Sequence, residues 1–480
     1  KVVLEHHSNL TPEEETRRQN LLSENWDAPI VFTTQVQFLE TLFGSGTRGA
    51  RRMHQLANSV IIFDEVQTIP VRCVHMFNVA LRFLVNNCGA TVVLCTATQP
   101  LLDKVEPAHR SLTISPEQRM MEDEQKLFKK LRRVKVYDKR KIGGWSEEQI
   151  AELTRQELHK TGGVLVIVNT KKSARSLYQK LVGKNLTEVY HLSTNMCPAH
   201  RLNVLDAVRD RLCNNEPAIC VSTQLIEAGI DIDFGTVIRY LAGLDSITQA
   251  AGRCNRNGKR KKPGKVYILN PKEENIDRLK DIKIGAQEAE RVLREYKDDP
   301  KHFNGDRLGL KAMEQFYTYY FYNRKGQMNY PVDSKSVIGR EDDLFNLLSK
   351  NTQSVEGYKR TNNDSEPAIN LRQSFQSAAK AFRAIDSPTR GIVVPYDKDG
   401  EQIINELCEA FELEKQFRLL KRAQRYSVNL FPHEFDTMGN KNAIREVQQE
   451  SGIYYMDYQY YSSEFGWNEE IVNEMKPLTF

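Results

Sequence analysis

The chain has 480 residues, of which 40% are hydrophobic and 27% charged, with a formal net charge of +5 and a pI of about 8.6. That length is enough for about three domains of ordinary size, and the composition is typical of a soluble globular protein. No apolar run approaches the ~18 residues of a membrane span, and the eight cysteines include no C-x-x-C pair. We therefore expect a cytoplasmic protein without a membrane partner, with reduced cysteines; the mild positive charge is weak support for a nucleic-acid ligand.

Short apolar strands alternate with helical segments in residues 1–115, which favours an α/β fold with a parallel sheet. The strands predicted in this first part are 30–32, 60–63 and 91–94. A second α/β domain is predicted over 116–272, with strands at 134–136, 163–168, 189–191, 218–221, 236–238 and 266–269. Residues 273–334 are predicted to form a helical linker. Residues 335–480 are predicted to form a mostly helical C-terminal domain with one strand-like segment at 391–396.

Two adjacent carboxylates, Asp64 and Glu65, close the predicted buried strand 60–63. Ligands of an open parallel sheet bind at the carboxyl ends of its strands. Asp64 is therefore predicted to hold Mg²⁺ through water, and Glu65 to polarise an attacking water as a general base. A surface turn is the alternative for this pair taken alone. Thr96 and Thr98 follow the strand 91–94, either as helix caps or as coupling contacts across a cleft.

Polar residues also follow other predicted strands, namely Thr34, Asn169 and Thr223. An exposed helix N-terminus is an anion site, so each position is either a plain cap or a cap that also contacts a DNA phosphate. Gln224 is predicted to contact DNA beside Thr223. Further along, Gly229 would let the backbone pass close to a ligand, and Asp231 would lie within reach of a bound nucleotide.

The pattern Gln249-x-x-Gly252-Arg253-x-x-Arg256 follows these residues. On a helix, that spacing would place both guanidiniums on one face, where they would stabilise a triphosphate during its hydrolysis. The alternative is a solvated basic face that continues into Lys259–Lys262, a run more typical of a charged turn than of a DNA clamp. The aromatic run 316–322 is more typical of the core stripe of a helix than of a base-stacking surface.

The order of these motifs resembles a superfamily 2 helicase. Together with 373–386, 392–396 and the weaker match at 465–467, it resembles the CRISPR-associated helicase–nuclease of type I interference. The resemblance implies two RecA-like domains that bind ATP and Mg²⁺ between them, with single-stranded DNA crossing their top. It also implies 3′ to 5′ translocation and loading by an RNA-guided surveillance complex. The implied catalytic residues are Asp64, Glu65, Gln249, Arg253 and Arg256.

Two parts of that family's pattern are absent from this sequence: the His-Asp nuclease motif and the G-x-x-x-x-G-K-[ST] phosphate loop. The resemblance therefore implies an incomplete first RecA-like domain and a separate or lost N-terminal segment as a partner. We expect these residues alone to hydrolyse ATP negligibly. A non-catalytic module that binds DNA or the surveillance complex is an alternative, as is an RNA helicase of the same superfamily, against which residues 373–396 argue.

Overall fold

The computed structural model describes residues 3–6, 22–96, 101–121, 123–182, 188–227, 229–384 and 389–473. The chain divides into two compact units, one made of 1–122 and 317–386, the other of 123–316 and 387–480. Residues 335–480 contribute to both units, and the four-domain division stays a prediction. Across the described ranges, no helix combines the length and the apolar character that crossing a membrane requires.

The strands of the described chain are short, and their bounds in chain order are as follows. They are β1 (Val3–His6), β2 (Ile30–Thr33), β3 (Val60–Phe63), β4 (Thr91–Leu94), β5 (Val134–Asp138), β6 (Gly163–Ile167), β7 (Val189–Leu192), β8 (Ala218–Ser222), β9 (Thr236–Tyr240), β10 (Gly264–Leu269), β11 (Pro331–Val332), β12 (Asp342–Asp343), β13 (Arg390–Val393), β14 (Ser427–Leu430), β15 (Ile444–Glu446), β16 (Tyr454–Met456), β17 (Tyr461–Ser462) and β18 (Gly466–Trp467).

The α-helices connect these strands or follow them. They are α1 (Gln35–Phe43), α2 (Thr47–Met53), α3 (Val74–Cys88), α4 (Glu124–Lys130), α5 (Glu147–Thr161), α6 (Lys171–Val182), α7 (Pro198–Cys213), α8 (Leu244–Ala251), α9 (Lys280–Asp298), α10 (Leu310–Tyr322), α11 (Leu344–Leu348), α12 (Thr352–Thr361), α13 (Phe375–Ala381), α14 (Asp397–Cys408), α15 (Leu413–Ala423) and α16 (Pro432–Asn440).

The first unit contains two parallel strand pairs, β1 with β2 and β3 with β4. The three strands predicted for this part are confirmed, whereas β1 was not predicted. The expectation that the strand before Asp64 is buried is wrong, because Val60 and Ile62 are 68% and 65% exposed. Side chains alternate along a strand, and only the face carrying Phe63 packs, against Phe38 and Phe77 at ring distances of 4.9 and 5.1 Å.

The second unit is built on a six-stranded parallel sheet in the order β5-β10-β9-β6-β8-β7. All six strands predicted for residues 116–272 are confirmed. Every residue of β6, β8 and β9 is buried, as expected for central strands of a parallel sheet that is covered on both faces. Helix α5 starts at a capping box formed by Ser146 and Gln149, and packs Ile150 and Leu158 into the sheet's core.

The C-terminal stretch of the second unit adds a four-stranded mixed sheet in the order β14-β13-β16-β15, and a hairpin of β17 and β18. The predicted segment at 391–396 corresponds to β13. Its neighbours were not predicted, because they are short and pair over long sequence separations. The hairpin packs onto the parallel-sheet domain: Phe465 contacts Tyr178 and His191 at ring distances of 5.3 and 5.2 Å, and Trp467 N–H donates to Asn195 O at 3.0 Å.

A buried histidine reinforces the same contact. His200 stacks on Tyr396 with ring centroids 4.2 Å apart. Its Nδ1 lies 3.0 Å from the Tyr461 hydroxyl and its Nε2 lies 2.9 Å from Ser463 O. The Tyr461 hydroxyl accepts the N–H of Cys197, so its own proton points to Nδ1 and the ring is neutral with hydrogen on Nε2. Burial lowers the pKa of both His200 and His191 to about 4.

The aromatic run at 316–322 lies on α10, and three of its side chains are buried: Phe316, Tyr317 and Phe321. Phe316 and Tyr317 are 1% and 2% exposed, which confirms the core interpretation for them. Tyr322 differs, with 65% of its surface exposed. The run Lys259–Lys262 is exposed and forms a turn before β10.

Candidate functional site

The two predicted carboxylates sit at the carboxyl end of β3, where the backbone turns sharply. Glu65 adopts a left-handed conformation with φ of 51°, which ends the strand and directs the next residues into a 3-10 turn. Asp64 is exposed, and its Oδ1 accepts the Glu65 N–H at 3.0 Å. The left-handed turn therefore separates the two carboxylates, leaving one open to solvent and turning the other back toward the protein.

A chain of side-chain hydrogen bonds joins the Asp64-Glu65 turn to the end of β4. Gln67 Nε2 donates to the Glu65 carboxylate, and Thr96 Oγ1 donates to Gln67 Oε1. Gln67 was not assigned a role from the sequence, although its place two residues after Glu65 was the available signal. Thr96 is thus connected to Glu65 through Gln67, as a coupling residue would be. Thr98 lies outside the described residues.

Thr34 in the first unit is a helix cap. Its Oγ1 accepts the Gln37 N–H at 3.2 Å at the start of α1, as the sequence spacing predicted, and the side chain is exposed. The predicted phosphate contact of Thr34 stays a prediction.

Asn169 and Thr223 lie at the same edge of the six-stranded sheet. They follow the adjacent strands β6 and β8, and Val168 N–H donates to Ser222 O at 2.9 Å just before them. Thr223 makes no capping hydrogen bond of its own to the 3-10 turn that contains Gln224, and Gln224 is half-buried. The sheet therefore brings together these three of the four predicted DNA-binding residues.

An internal carboxylate occupies the donors around Asn169. The backbone N–H groups of Asn169 and Thr170 donate to Glu274 Oε1 at 2.8 and 3.0 Å, and Asn169 Nδ2 donates to Glu274 Oε2 at 2.8 Å. Both carboxylate oxygens are thus held at the N-terminus of α6, where an anion is stabilised. Glu274 was not identified from the sequence. A phosphate could reach these N–H groups only after Glu274 moved.

A fully buried arginine connects Asn169 to the loop after β8. Arg239 Nη1 donates to Asn169 Oδ1 at 2.7 Å, Nη2 donates to Ser246 Oγ at 2.8 Å, and Nε lies 2.8 Å from Glu227 Oε1. Burial raises the pKa of Glu227, and Arg239 opposes that rise. The signal in the sequence was a lone arginine inside the apolar strand β9. A buried charge of this kind is tolerated only when it is paired, so the network fixes the loop's geometry.

The two motif arginines do not share a helical face, contrary to the expectation from their spacing. Helix α8 ends at Ala251, and the chain then passes through a bridge between Cys254 and Phe234 and a left-handed Asn255 with φ of 48°. The arginine side chains consequently have different partners. Gln249 lies on α8 itself and is half-buried.

Arg253 is buried and braces the loop that follows β8. Its Nε donates to Ile226 O at 3.1 Å and its Nη2 donates to Glu227 O at 2.5 Å, and only 7% of the residue is exposed. A planar fork can satisfy two carbonyls at once, which the ammonium of lysine cannot do in the same geometry. Arg253 therefore fixes the position of the backbone that leads to Gly229.

Arg256 lies nearer the surface and pairs with a predicted nucleotide-binding residue. Its Nε donates to Asp231 Oδ1 at 2.6 Å, and the two side chains are 39% and 76% exposed. The Arg256 N–H also donates to Asp233 Oδ1 at 2.8 Å. Gly229 has a φ of 71°, and a Cβ added to it would meet no atom within 4 Å, so the loop makes a left-handed turn in open space. Asp231 and Arg256, which belong to motifs 25 residues apart in the sequence, are therefore in direct contact.

Chemically, the carboxylates offer one place for a divalent cation. No group of three or more histidine, cysteine or acidic side chains among the described residues could hold a metal ion. Asp64 alone fits Mg²⁺, which is usually held by one or two carboxylates together with water and phosphate oxygens. Asp64 is exposed and its Oδ1 accepts a backbone N–H, and its predicted role in holding Mg²⁺ stays a prediction.

Comparison with known proteins agrees with the motif order. Residues 160–259 match the family described as CRISPR-associated nuclease/helicase Cas3, C-terminal. A CRISPR-associated nuclease/helicase Cas3 from Haloferax volcanii is 26% identical over 349 residues, which cover 53% of this chain and 36% of that protein. The chain thus spans about a third of the length of this curated relative.

Solved structures share the fold. Crystal structures of T. fusca Cas3, alone and with ATP, have TM-scores of 0.58 and 0.57 at 15% and 17% identity, and each match covers 92% of this chain and 55% of the solved chain. A chain in a CRISPR RNA-guided surveillance complex, described as pre-nicking, has a TM-score of 0.53 at 14% identity, over 92% of this chain and 58% of that chain.

The α/β fold with RecA-like parallel strands, the converging helicase motifs and the sequence matches all agree. Residues 160–259 are thus similar to the C-terminal part of CRISPR-associated nuclease/helicase Cas3 proteins, and the chain shares the fold of the solved T. fusca Cas3 structures.

Proposed function

We propose that this chain is the helicase portion of a type I interference helicase–nuclease. In that role it translocates 3′ to 5′ on single-stranded DNA, driven by ATP, and unwinds the DNA of an R-loop for degradation. The observation that carries the proposal is the convergence of two motifs in the second unit: Arg256 pairs with Asp231 while Arg253 braces the loop before Gly229.

ATP and Mg²⁺ are the proposed cofactors. Asp64 would hold the cation through water and Glu65 would polarise the attacking water, with Gln67 fixing the Glu65 carboxylate and Thr96 fixing Gln67. Bound Mg²⁺ supplies charge neutralisation at the phosphates. Gly229 and Asp231 are proposed to contact the nucleotide, and Gln249 to position it. The T. fusca relative was crystallised with ATP, which supports a nucleotide ligand here.

The proposed partners are single-stranded DNA, an RNA-guided surveillance complex and the N-terminal nuclease and phosphate-loop segment. The solved chain in a surveillance complex supports the second of these partners. A cytoplasmic location is part of the same proposal. The alternative of a non-catalytic module that binds DNA or the complex predicts DNA binding without nucleotide hydrolysis in any longer form of the protein.

The single-stranded DNA contacts are proposed to include Thr34, Asn169, Thr223 and Gln224. Thr223→Ala should weaken binding of a fluorescent single-stranded oligonucleotide and reduce the salt slope of log K by about 0.7, the value of one phosphate contact. Thr437→Ala is the matched control, because Thr437 is a partly exposed threonine whose hydroxyl bonds within α16.

Glu274 provides the opposite test at the same edge. Because its carboxylate fills the donors of Asn169 and Thr170, Glu274→Gln removes a negative charge that competes with phosphate. The affinity for single-stranded DNA should rise, while the neighbouring exposed Glu273→Gln changes it only through net charge. Unchanged affinity and salt slope in Thr223→Ala, Asn169→Ala and Thr34→Ala alike would show that none of these residues contacts single-stranded DNA.

A further inference from the structure

Two segments of the second unit have an unusual density of positive charge. Nine of the twelve residues in 129–133 and 256–262 are lysine or arginine, and none is acidic. The whole chain has a formal net charge of only +5, so this charge is strongly localised. We call these two segments together the basic face.

The fold brings the two segments together at the amino edge of the six-stranded sheet. Strands β5 and β10 begin side by side, with Val134 paired to Gly264. Just before them, Gly264 N–H and Asn255 Nδ2 donate to Arg133 O at 3.0 and 3.1 Å. The C-terminal turn of α4 and the turn at 258–262 therefore lie next to each other.

The lysines of the basic face are not neutralised by the protein itself. Lys129, Lys130, Lys259, Lys261 and Lys262 are exposed, and none has a carboxylate partner among the residues that the structure describes. Lysine side chains elsewhere in this unit are commonly paired, as in Lys160, Lys171, Lys180 and Lys265. Unpaired cations crowded together repel one another, a cost that a polyanionic ligand removes.

The acidic side chains nearest to these segments are already engaged. Asp231 pairs with Arg256, and Asp233 accepts the N–H groups of Arg256 and Asn257 at 2.8 and 3.2 Å. Glu157 accepts from both Lys160 and Lys265 at 2.9 Å. Asp231 therefore offsets one of the nine cations, Arg256, and leaves the lysines of the basic face without a carboxylate partner in the described part of the chain.

The chemistry of the basic face fits phosphate groups without exposed bases. Neither segment contains an aromatic residue, and its one apolar side chain is Leu131, 55% exposed. Single strands are held by aromatic side chains on which bases stack, whereas a duplex hides its bases and presents phosphates to lysine and arginine. The face also lies at the opposite edge of the sheet from Asn169 and Thr223, which follow strand ends.

We propose that the basic face binds the phosphate backbone of double-stranded DNA. This is a second DNA contact, separate from the single-strand contacts of the proposed function and independent of nucleotide hydrolysis. It would keep the protein on the duplex that adjoins the strand on which it acts.

The test is a binding titration with the 480-residue chain, using a labelled 30-base-pair duplex and a single strand of about the same length. The triple variant Lys259→Gln, Lys261→Gln, Lys262→Gln is compared with Lys272→Gln, Lys398→Gln, Lys415→Gln. The control lysines are exposed on the same unit, so both variants lose the same charge.

The basic-face variant should bind the duplex about 10-fold more weakly near 0.1 M salt, and its salt slope should fall by about 2 to 3, from loss of up to three phosphate contacts. The control should stay within about 2-fold. Equal losses in both variants, no measurable duplex binding by the parent chain, or a loss confined to the single strand would each overturn the proposal. Thr223→Ala tests the single-strand contacts separately, so the two proposals can fail independently.

Discussion

At the scale of single residues, Arg253 and Arg256 differ more than their shared motif indicates. Arg253 is buried and donates to two backbone carbonyls, whereas Arg256 is 39% exposed and pairs with Asp231. An arginine that is released from a surface ion pair can approach a phosphate, because such pairs contribute little to stability. Arg256 therefore has the freedom that a transition-state contact needs, and Arg253 has the rigidity that positions the loop.

Substituting lysine should separate these two roles. In an enzyme in which this chain is joined to a phosphate-binding loop, Arg253→Lys and Arg256→Lys should each lower ATP turnover by about 10²-fold, because lysine lacks the planar fork. Thermal unfolding distinguishes the two variants. Arg253→Lys should lower the free energy of unfolding by about 1–2 kcal/mol, because one carbonyl contact is lost, and Arg256→Lys should lower it by less than about 0.5 kcal/mol.

Binding of single-stranded DNA is the control measurement for both variants and should stay within a few-fold of the parent. Loss of single-stranded DNA binding with an unchanged ATPase rate would assign both arginines to a DNA contact instead of the nucleotide.

The identity of these residues was accessible from sequence, and their geometry was not. Spacing alone placed both arginines on a helix, since Gln249 to Ala251 are helical. After the helix, Asn255 is left-handed and Cys254 bridges to Phe234, a residue 20 positions earlier that local spacing does not reveal. Glu274 and Arg239 were missed for a similar reason, because their partners are distant in sequence.

At the scale of elements, the hairpin of β17 and β18 is held against the parallel-sheet domain by a glycine. Gly466 has φ of 76°, and a Cβ there would lie 2.2 Å from Asn195 O and 2.7 Å from Met196 N. Only glycine allows the two backbones to approach so closely, and the approach lets Trp467 N–H reach Asn195 O.

Gly466→Ala should therefore destabilise the second unit by about 2–4 kcal/mol, from the left-handed conformation and the backbone clash combined. Gly452→Ala is a matched control, because Gly452 also has a positive φ of 67° but no atom within 4 Å of the added carbon. It should cost about 1 kcal/mol. Urea unfolding of both variants measures the difference, and equal losses would refute the close-approach argument.

The histidines at the same contact predict a specific acid sensitivity. His191 and His200 have pKa values of about 4 in the folded protein, against 6.5 when unfolded. As the pH falls below 6.5 the unfolded chain binds protons first, so their contribution to stability is complete above that pH and is lost progressively toward pH 4.

Between pH 7.5 and pH 5, protonation of each histidine should lower the free energy of unfolding by about 2 kcal/mol. His200→Gln should remove about half of that pH dependence in urea unfolding, whereas the exposed control His159→Gln should retain it. A His200→Gln protein with the parent's full pH dependence would show that this ring does not titrate as described.

The strands of the parallel sheet could be predicted because a central strand is an uninterrupted apolar run between polar ends. The mixed sheet of β13 to β16 could not, because these strands have two to four residues paired and alternate less clearly. Neither the order β5-β10-β9-β6-β8-β7 nor the left-handed turn at Glu65 is encoded in local pattern.

At the scale of the whole molecule, we expect ATP hydrolysis to require a phosphate loop that these 480 residues do not contain. No G-x-x-x-x-G-K-[ST] loop occurs in the 480 residues, so no backbone cradle or lysine for the β- and γ-phosphates can be assigned. We therefore expect this chain to bind DNA without hydrolysing ATP.

The purified 480 residues should release phosphate from ATP negligibly, even with saturating single-stranded DNA, while still binding that DNA. Phosphate release is measured with and without DNA, and Glu65→Gln serves as the background control. DNA-stimulated turnover on the order of 1 s⁻¹ or more, abolished by Glu65→Gln, would show that the chain is a complete ATPase.

The division of the chain has a consequence for how such a gene can change by recombination. Each compact unit takes one stretch from the N-terminal side and one from further along, so the polypeptide passes from one unit to the other near residues 122, 316 and 386. A single crossover between two related genes would therefore combine, in at least one unit, a segment from one parent with a segment from the other. Relatives are expected to exchange this region whole, or with breakpoints near all three of those positions, and not as one contiguous domain.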